Sequence, residues 1–254
     1  MSEKIINVGY RPRLSLTEQL ALAQIRTKII SPDRVVGVVG DIHEPFSVAG
    51  YFDFIVDTFR AEGVTDIVFI GDIVDQHAIS FHDADPDGMS AGDELVKAKA
   101  NLAKWYKEFP VAKICIGNHD HLPARKALKH GLARAYVRPL HEVLECPEGW
   151  VFDWEFDVDG VAYIHGTGFS GMYAHVNAMK QKRKSVVMGH LHSNFGVEFS
   201  ATDHDLLWGM AVGCGVDRHS YAQAYGKDFP RKPVLGCGTV TNGIIPRTHP
   251  MPRH

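Results

Sequence analysis

The chain lacks the features of an exported or membrane-spanning protein. No stretch approaches the roughly 18 consecutive apolar residues of a membrane helix, and the N-terminus lacks the charged-then-apolar layout of a signal peptide. Cysteine is scarce and never occurs in a C-x-x-C pair, so we expect reduced thiols and a soluble protein of the cytoplasm. The cysteines are Cys115, Cys146, Cys214 and Cys237.

A surplus of basic charge is also missing. The net charge is -3 and the pI is near 6.6, which argues against the broad basic surface of a protein that follows a long duplex. The net charge does not exclude substrates that are small or that are held at one local site. With 254 residues, 45% of them hydrophobic, the chain is long enough for a sizeable core, and we favour one large domain over two small ones.

What the chain does have is a series of five short polar motifs in a fixed order. They are D-I-H at 41–43, G-D-I-V-D at 71–75, G-N-H-D at 117–120, I-H-G at 164–166 and G-H-L-H at 189–192. Most follow short apolar runs that are typical of buried strands. If these strands are neighbours in one or two packed sheets, the motifs meet at the carboxyl ends, where open α/β sheets place their ligands.

The spacing between the motifs predicts an α/β fold. Helices over 48–60 and 93–109 alternate with strands, which indicates a parallel sheet, and short runs in the second half indicate a second sheet. These runs cover 151–156, 161–165, 186–189, 195–200, 206–212 and 234–240.

Three segments follow from this pattern. Residues 1–34 form a leader, with a helix that a capping box starts at Ser15 and that ends near Ile29; its apolar stripe is expected to pack on the domain. Residues 35–241 form a single domain. Residues 242–254, rich in Pro and Arg, are expected to be a loosely held tail.

The ordered motifs resemble those of the calcineurin-like metallophosphoesterase superfamily, whose pattern is D-x-H, G-D-x-x-D, G-N-H-D/E, a strand-ending histidine and G-H-x-H. The resemblance covers residues 38 to about 215. It implies two stacked mixed β-sheets flanked by helices in four layers. It also implies two divalent cations with Asp72 and a water or hydroxide between them. By motif matching, the first cation is held by Asp41, His43 and His192, and the second by Asn118, His165 and His190.

This donor set bears on the metal. Imidazole with carboxylate or amide oxygen suits transition metals better than calcium, and manganese is favoured, with iron, zinc and nickel as alternatives. His190 and His192 are separated by one residue, so in an extended segment both rings would lie on the same side and could reach two adjacent cations.

The resemblance also assigns a catalytic pair. His119 matches the family's histidine, which contacts the phosphoryl group and can donate a proton to the leaving oxygen. Asp75 matches the carboxylate that orients this imidazole, and a carboxylate partner fixes the tautomer and raises the basicity of a histidine.

Two departures from the superfamily pattern bear on the substrate. Protein phosphatases of the superfamily carry phosphate-clamping arginines where this chain has Gln76 and Ile116. The missing guanidinium groups favour a phosphodiester, in a nucleotide-like molecule or a nucleic acid. A phosphomonoesterase is the alternative within the enzyme class, and a catalytically silent metal-binding scaffold is the alternative outside it. The oligomeric state is left open.

Three further segments are candidates for substrate recognition, each with a plainer explanation. Loop 76–91 is either a recognition loop or a solvated acidic loop. Segment 166–175 is either a ligand-approaching turn, with Phe169 or Tyr173 stacking on a base, or simply a turn. A basic cluster either attracts phosphates or complements a helix C-terminus. Its members are Lys180, Lys182, Arg183 and Lys184.

Overall fold

A computed structural model describes residues 15–17, 19, 34–81, 85–226 and 230–252. Residues Arg34–His254 form one compact unit. Of the leader, Leu16, Thr17 and Gln19 are helical, and the amide of Gln19 donates to the carbonyl of Ser15 at 2.9 Å. The rest of the predicted leader helix lies outside the described residues, and its packing stays a prediction.

Strands and helices alternate in the first half and strands dominate the second. The strands are β1 (Val35–Val39), β2 (Asp66–Phe69), β3 (Ala112–Cys115), β4 (Trp150–Asp153), β5 (Glu155–Val158), β6 (Val161–Ile164), β7 (Val186–Met188), β8 (Phe195–Ala201), β9 (Leu206–Val212), β10 (Gly236–Thr241) and β11 (Ile245–Pro250). The helices are α1 (Tyr51–Glu62), α2 (Ala91–Glu108), α3 (Leu122–Lys129), α4 (Leu140–Val143) and α5 (Ala174–Lys182).

The strands form two mixed sheets. The first has the order β11-β10-β1-β2-β3-β4, in which β1 to β4 are parallel and β10 and β11 are antiparallel to their neighbours. The second has the order β5-β6-β7-β9-β8, with β6, β7 and β9 parallel between two antiparallel edge strands. The predicted α/β fold with two mixed sheets is therefore confirmed.

One part of the core lies between the two sheets. Val36 and Val38 of β1 share one cluster of buried side chains with Tyr163 of β6 and Met210 of β9. Because side chains alternate across a strand, the next residue along β1, Val39, faces the opposite side. It packs in a second cluster with residues of the helices that cover the first sheet.

Helices cover the outer faces and complete the four layers. On the first sheet, Phe59 of α1 and Trp105 of α2 pack in the cluster of Val39. On the second sheet, α5 contributes Ala174 and Met179 to a third cluster with residues of β6 and β7. The side chain of Ser90 caps α2 by accepting from the amide of Asp93 at 3.2 Å.

Two strand predictions are wrong. The run 151–156 does not form one strand of the second sheet: it divides at Trp154 into β4, which pairs with β3 in the first sheet, and β5, which pairs with β6 in the second. The run 234–240 becomes β10, which also joins the first sheet beside β1. Apolar runs predict strands, but they do not show which sheet a strand joins.

The prediction of a loosely held tail over 242–254 is wrong for Ile245–Pro250, because this segment pairs with β10 as the edge strand β11. Asn242 and Gly243 form the turn with φ of 50° and 67°. Two positive φ values are typical of a type I′ hairpin turn, for which Asn-Gly is a strong sequence signal. The Asn-Gly signal is present in the sequence, and the Pro and Arg content of the segment does not prevent strand pairing.

Two of the predicted absences can be compared with the structure. None of the helices in the described ranges is long and apolar enough to cross a membrane. All four cysteines are free, and Cys115, Cys214 and Cys237 are buried. The cytoplasmic location stays a prediction.

Candidate metal centre

The polar motifs emerge where strands end. Asp41 follows β1, Asp72 follows β2 and Asn118 follows β3 in the first sheet, while His165 follows β6 and His190 follows β7 in the second. Parallel strands have their carboxyl ends at the same edge, so the two sheets bring these loops together. The convergence predicted from the motifs is present.

One group of candidate ligands consists of Asp41, His43 and His192. The Nε2 atom of His192 lies 3.3 Å from Oδ2 of Asp41 and 3.1 Å from Nε2 of His43. The Nδ1 atom of His43 donates to Oδ2 of Asp75 at 3.0 Å. Because Nδ1 carries the proton in this bond, the lone pair of Nε2 of His43 is available to bind a cation, which is the usual arrangement of metal-binding histidines.

A second group consists of Asp72, His165 and His190, with Asn118 beside it. Nε2 of His165 lies 3.2 Å from Oδ2 of Asp72 and 3.0 Å from Oδ1 of Asn118. Nδ1 of His165 donates to the carbonyl of Ile70 at 3.0 Å, which leaves Nε2 for a cation.

Asp72 lies between the two groups. Its Oδ2 atom is 3.2 Å from Nε2 of His165 and 3.6 Å from Nε2 of His43. Its Oδ1 atom accepts the backbone amide of His119 at 2.8 Å. The carboxylate is thus fixed on one side and open to both histidine groups on the other.

The charges of the cluster fit divalent cations. Asp41, Asp72 and Asp75 are each at most 2% exposed, and within the described ranges no Lys or Arg forms an ion pair with them. Oδ1 of Asp41 is buried and has no hydrogen-bond partner among the described residues. Buried carboxylates are costly unless they are paired or bind metal, so these residues suit a metal centre.

Two motif glycines are required by the close packing of this centre. A Cβ atom at Gly189 would lie 2.1 Å from Oδ1 of Asp41, and one at Gly117 would lie 2.0 Å from Oδ1 of Asp72. The backbone of each motif therefore contacts the carboxylate of another motif directly, and any side chain there would displace the carboxylate.

The electrostatics couple the two groups. Burial alone would raise the pKa of Asp72, but His165, His119 and His43 hold it well below its usual range. Burial opposes the charged form of His165, yet Asp72 and Asp41 raise its pKa to about 9. Burial and the neighbouring His165 lower the pKa of His190 to about 4. A neutral imidazole at His190 is the form that binds a cation.

His119 lies beside this cluster, with its ring 4.7 Å from that of His43, centroid to centroid. Its Nδ1 atom donates to the backbone carbonyl of Asp75, whereas the nearer carboxylate oxygen of Asp75 is 3.9 Å away. The carboxylate of Asp75 instead binds His43. The assignment of Asp75 as the group that orients His119 stays a prediction, and the backbone carbonyl is the atom that makes the contact.

The assumption of an extended segment at 190–192 is wrong. His190 has a φ of 66°, and the amide of Leu191 donates to the carbonyl of Gly189 at 2.7 Å, so the chain turns tightly. The amide of His190 donates to Oδ2 of Asp41 at 2.8 Å, which holds the turn in place. Both rings still reach the centre, because the turn directs His190 to the group of Asp72 and His192 to the group of Asp41.

Three polar residues that support the site were not among the predicted ones. Asp120 accepts the amides of Ile73 and Gly117 at 3.0 and 2.9 Å, and so joins two motif loops. Burial and the neighbouring Asp72 raise the pKa of Asp120 to about 7. The fully buried Glu44 accepts from Asn101. Its position directly after His43 was the sequence signal that could have identified Glu44 as a supporting residue.

Gln223 is the third residue that the sequence patterns missed. Its Nε2 atom donates to Oδ2 of Asp75 at 3.3 Å, across 148 residues of chain. Gln223 belongs to none of the motifs, so no local pattern could have identified it.

Loop 76–91 has a mixed outcome. His77 is buried, and its Nε2 atom accepts the amide of Asp85 at 3.1 Å, so this histidine supports the loop. Phe81 is 48% exposed. His82 and Asp83 lie outside the described residues.

The other two candidate surfaces also have partners within the fold. In segment 166–175, Phe169 packs against the third core cluster, while Tyr173 is 58% exposed. Of the basic cluster, Lys182 pairs with Glu155 at 2.5 Å and Lys184 pairs with Asp157. Lys182 lies in the last turn of α5, as the plainer explanation predicts, whereas Lys184 lies beyond the helix and is accounted for by its ion pair.

A cavity of about 760 Å³ lies next to the centre, and none of the predicted ligands lines it. Gln76, Asp120 and His121 contribute to its wall, together with apolar side chains of α2 and α3. The cavity and the metal centre therefore lie near the same loops and are lined by different side chains.

These features define an α/β protein with a His-, Asp- and Asn-lined candidate metal centre between two mixed sheets. The family model of the calcineurin-like phosphoesterases matches residues 34–217, and the chain belongs to this family. The superfamily comprises phosphoesterase hydrolases. No curated protein matches the chain.

Solved structures with a related fold share little sequence with this chain. An archaeal phosphodiesterase is 16% identical, with 85% of this chain and 99% of that chain covered and a TM-score of 0.43. The phosphoesterase Yfce from E. coli is 13% identical, with 82% and 88% covered and a TM-score of 0.41. Vacuolar protein sorting 29 from Cryptosporidium parvum is 12% identical, with 87% and 98% covered and a TM-score of 0.40. Family membership depends on the family model and not on these likenesses.

Proposed function

We propose that this protein is a metal-dependent phosphodiesterase with two divalent cations, manganese being favoured. The observation that carries the proposal is the convergence of two histidine and carboxylate groups on Asp72, whose Oδ2 atom lies 3.6 Å from His43 and 3.2 Å from His165. Two adjacent cations need a shared anion, and this carboxylate is in position to be one.

Each cation has a separate set of donors. Asp41, His43 and His192 would hold the first, Asn118, His165 and His190 would hold the second, and Asp72 would contact both. When bound, the two cations supply Lewis acidity, which acidifies water and polarises a phosphoryl group.

His119 is suited to donate a proton to the leaving oxygen. Its Nδ1 atom is engaged with the carbonyl of Asp75, which leaves Nε2 for the substrate. Burial opposes its charged form, but Asp72 and Asp75 outweigh burial and raise the pKa of His119. A protonated imidazole in this position can act as a general acid.

The choice of a diester depends on the two positions that lack arginine. Gln76 donates its side-chain amide to the carbonyl of His119 at 2.8 Å and so supports the loop. Ile116 brings no charge. A phosphodiester carries one negative charge and needs less cationic clamping than the dianion of a monoester.

The test compares bis(p-nitrophenyl) phosphate with p-nitrophenyl phosphate as substrates of metal-stripped protein restored with Mn²⁺. We expect the diester to be hydrolysed faster. His119→Ala is expected to reduce kcat by about 10²- to 10⁴-fold, as for loss of a general acid. His204→Ala, at an exposed turn, is the matched control and is expected to keep full activity.

Asp72→Asn is expected to abolish diester turnover, and so is Asn118→Ala. Activity retained in either variant would contradict the dinuclear assignment. No activity with any divalent metal, in protein that binds the metal, would favour the silent scaffold.

One observation favours the phosphomonoesterase alternative. The guanidinium of Arg231 donates to the carbonyl of Ser193 at 2.8 Å, one residue after His192, and so places a cation near the first ligand group. If the monoester is the better substrate and Arg231→Ala reverses this preference, the diesterase proposal is wrong and Arg231 is the phosphate clamp.

A further inference from the structure

The residues that follow the G-N-H-D motif form a basic segment. From His121 to His141 the sequence contains no Asp or Glu, although the whole chain has a net charge of -3. The segment begins one residue after Asp120 and includes α3. Its cations are Arg125, Lys126, Lys129, Arg134 and Arg138.

Three of these cations surround an exposed aromatic ring. Phe81 is 48% exposed, and Lys126 Nζ lies 4.4 Å from its ring centroid, with Arg125 Cζ at 5.0 Å and Lys129 Nζ at 5.2 Å. Within the part of the chain that the structure describes, no carboxylate forms an ion pair with these three side chains. We call Phe81, Arg125, Lys126 and Lys129 the basic-aromatic surface.

The basic-aromatic surface is continuous with the candidate metal centre. Phe81 follows Asp75 by six residues, and α3 begins three residues after His119. Two hydrogen bonds also join these segments: Gln76 donates to the carbonyl of His119 at 2.8 Å, and Lys126 donates to the carbonyl of Ser80 at 3.0 Å. A polyanion bound at His119 could therefore extend along α3.

A second exposed aromatic side chain lies at the start of the same segment. Trp154 is 54% exposed and makes an edge contact with His121, with ring centroids 5.0 Å apart. Exposed rings among cations are the arrangement with which proteins bind single strands, because bases stack on rings while the cations follow the phosphates. A surface that needed only solubility would not require the rings.

We propose that the substrate is a single-stranded nucleic acid, with one base stacked on Phe81 and its phosphates on Arg125, Lys126 and Lys129. This inference rests on the proposed phosphodiesterase function and specifies the substrate class. The surface is local, so it agrees with the absence of the broad basic face that a long duplex would need.

The test measures binding apart from turnover. Metal-stripped protein is titrated into a fluorescent oligothymidylate of about 12 nucleotides, within the range of single-strand site sizes, and anisotropy gives Kd at several salt concentrations. We expect Phe81→Leu to raise Kd about tenfold with no change in the salt slope, because a base loses its stacking partner while the charges remain.

The triple variant Arg125→Ala, Lys126→Ala, Lys129→Ala is expected to weaken binding and to reduce the slope of log Kd against log salt by about 2. The matched control is Lys180→Ala, Lys182→Ala, Lys184→Ala, which removes the same charge from the basic cluster near α5. That control is expected to keep both the Kd and the slope. Thermal melting confirms that each variant is folded.

Two results would overturn the inference. One is equal loss of affinity in the two triple variants, which would mean that only net charge matters. The other is competition by oligoglutamate of equal charge as effective as that by unlabelled oligothymidylate, which would indicate a general polyanion site.

Failure of the inference and failure of the proposed function give different results. Turnover of bis(p-nitrophenyl) phosphate by the unaltered protein, without binding of the oligonucleotide, overturns the inference alone. Binding without turnover of any phosphate ester overturns the proposed function.

Discussion

Asp75 divides its contacts between two imidazoles. Its carboxylate accepts from Nδ1 of His43 at 3.0 Å, while its backbone carbonyl accepts from Nδ1 of His119. Gln223 donates to the same carboxylate oxygen that His43 contacts. In this arrangement the carboxylate acts on a candidate metal ligand, and the backbone acts on the candidate general acid.

We therefore expect Asp75→Asn to weaken metal binding about 10- to 100-fold, the usual cost of losing a partner that orients a ligand. Isothermal titration of the metal-stripped protein with Mn²⁺ measures this affinity. His119→Ala is expected to leave the affinity nearly unchanged. The opposite result, with Mn²⁺ affinity lost in His119→Ala and kept in Asp75→Asn, would mean that His119 is a ligand and that the carboxylate of Asp75 does not orient one.

Gly189 tests the close packing of the centre. A Cβ atom there would lie 2.1 Å from Oδ1 of Asp41, so Gly189→Ala is expected to displace a ligand and abolish Mn²⁺ binding, as measured by the same titration. Gly92→Ala is the matched control, since the nearest atom to its Cβ would be 3.8 Å away. Normal Mn²⁺ affinity in Gly189→Ala would mean that Asp41 is not a ligand.

At the scale of elements, the hairpin of β10 and β11 closes one edge of the first sheet. Its turn depends on Asn242 and Gly243, both with positive φ, and a Cβ atom at Gly243 would lie 2.3 Å from the carbonyl oxygen of Asp159. This contact ties the hairpin to the turn between β5 and β6 of the other sheet. Strand β11 is therefore part of the packed structure.

Gly243→Ala is expected to lower the free energy of unfolding by about 1 to 3 kcal/mol. Alanine disfavours the positive φ at this position, and its Cβ atom would also clash with the carbonyl of Asp159. Urea unfolding measures the change. Gly131→Ala isolates the backbone effect, since Gly131 has a φ of 81° and its Cβ would meet nothing within 4 Å. Equal destabilisation in the two variants would show that the contact with Asp159 is not important.

At the scale of the whole molecule, the candidate centre joins the two sheets. It contains buried carboxylates that repel one another, and its candidate ligands come from loops of both sheets. Cations bound there would offset that repulsion in the folded state alone. Metal binding would then be coupled to the stability of the entire domain.

We expect Mn²⁺ at about 1,000 times its Kd to add about 4 kcal/mol to the stability of the folded state. For a domain of this size, that corresponds to a rise in Tm of roughly 10 °C, measured by scanning calorimetry with and without EDTA. Asp72→Asn should lose most of this rise. An unchanged Tm in the unaltered protein would mean that the native fold does not hold the metal.

Local sequence patterns were sufficient to predict the chemistry of the motifs and the order, along the chain, of the strands that carry them. Short apolar runs before each motif predicted where Asp41, Asp72 and His165 lie, because strand periodicity and glycine turns are properties of a few adjacent residues. The turn at Asn242 and Gly243 also depends on adjacent residues, so it could have been predicted from the sequence as well. The fold class, the motif loops and their convergence at the strand ends could be predicted on this basis.

The contacts between groups that are distant in the chain could not be predicted from local patterns. Glu44 accepts the indole N–H of Trp105 across 61 residues, Phe81 meets the cations of α3, and the run around Trp154 divides between two sheets. Such contacts depend on how sheets and helices pack, and packing is set by the shapes of side chains far apart in the chain. The partners of a polar group can therefore be known only once the core around it has formed.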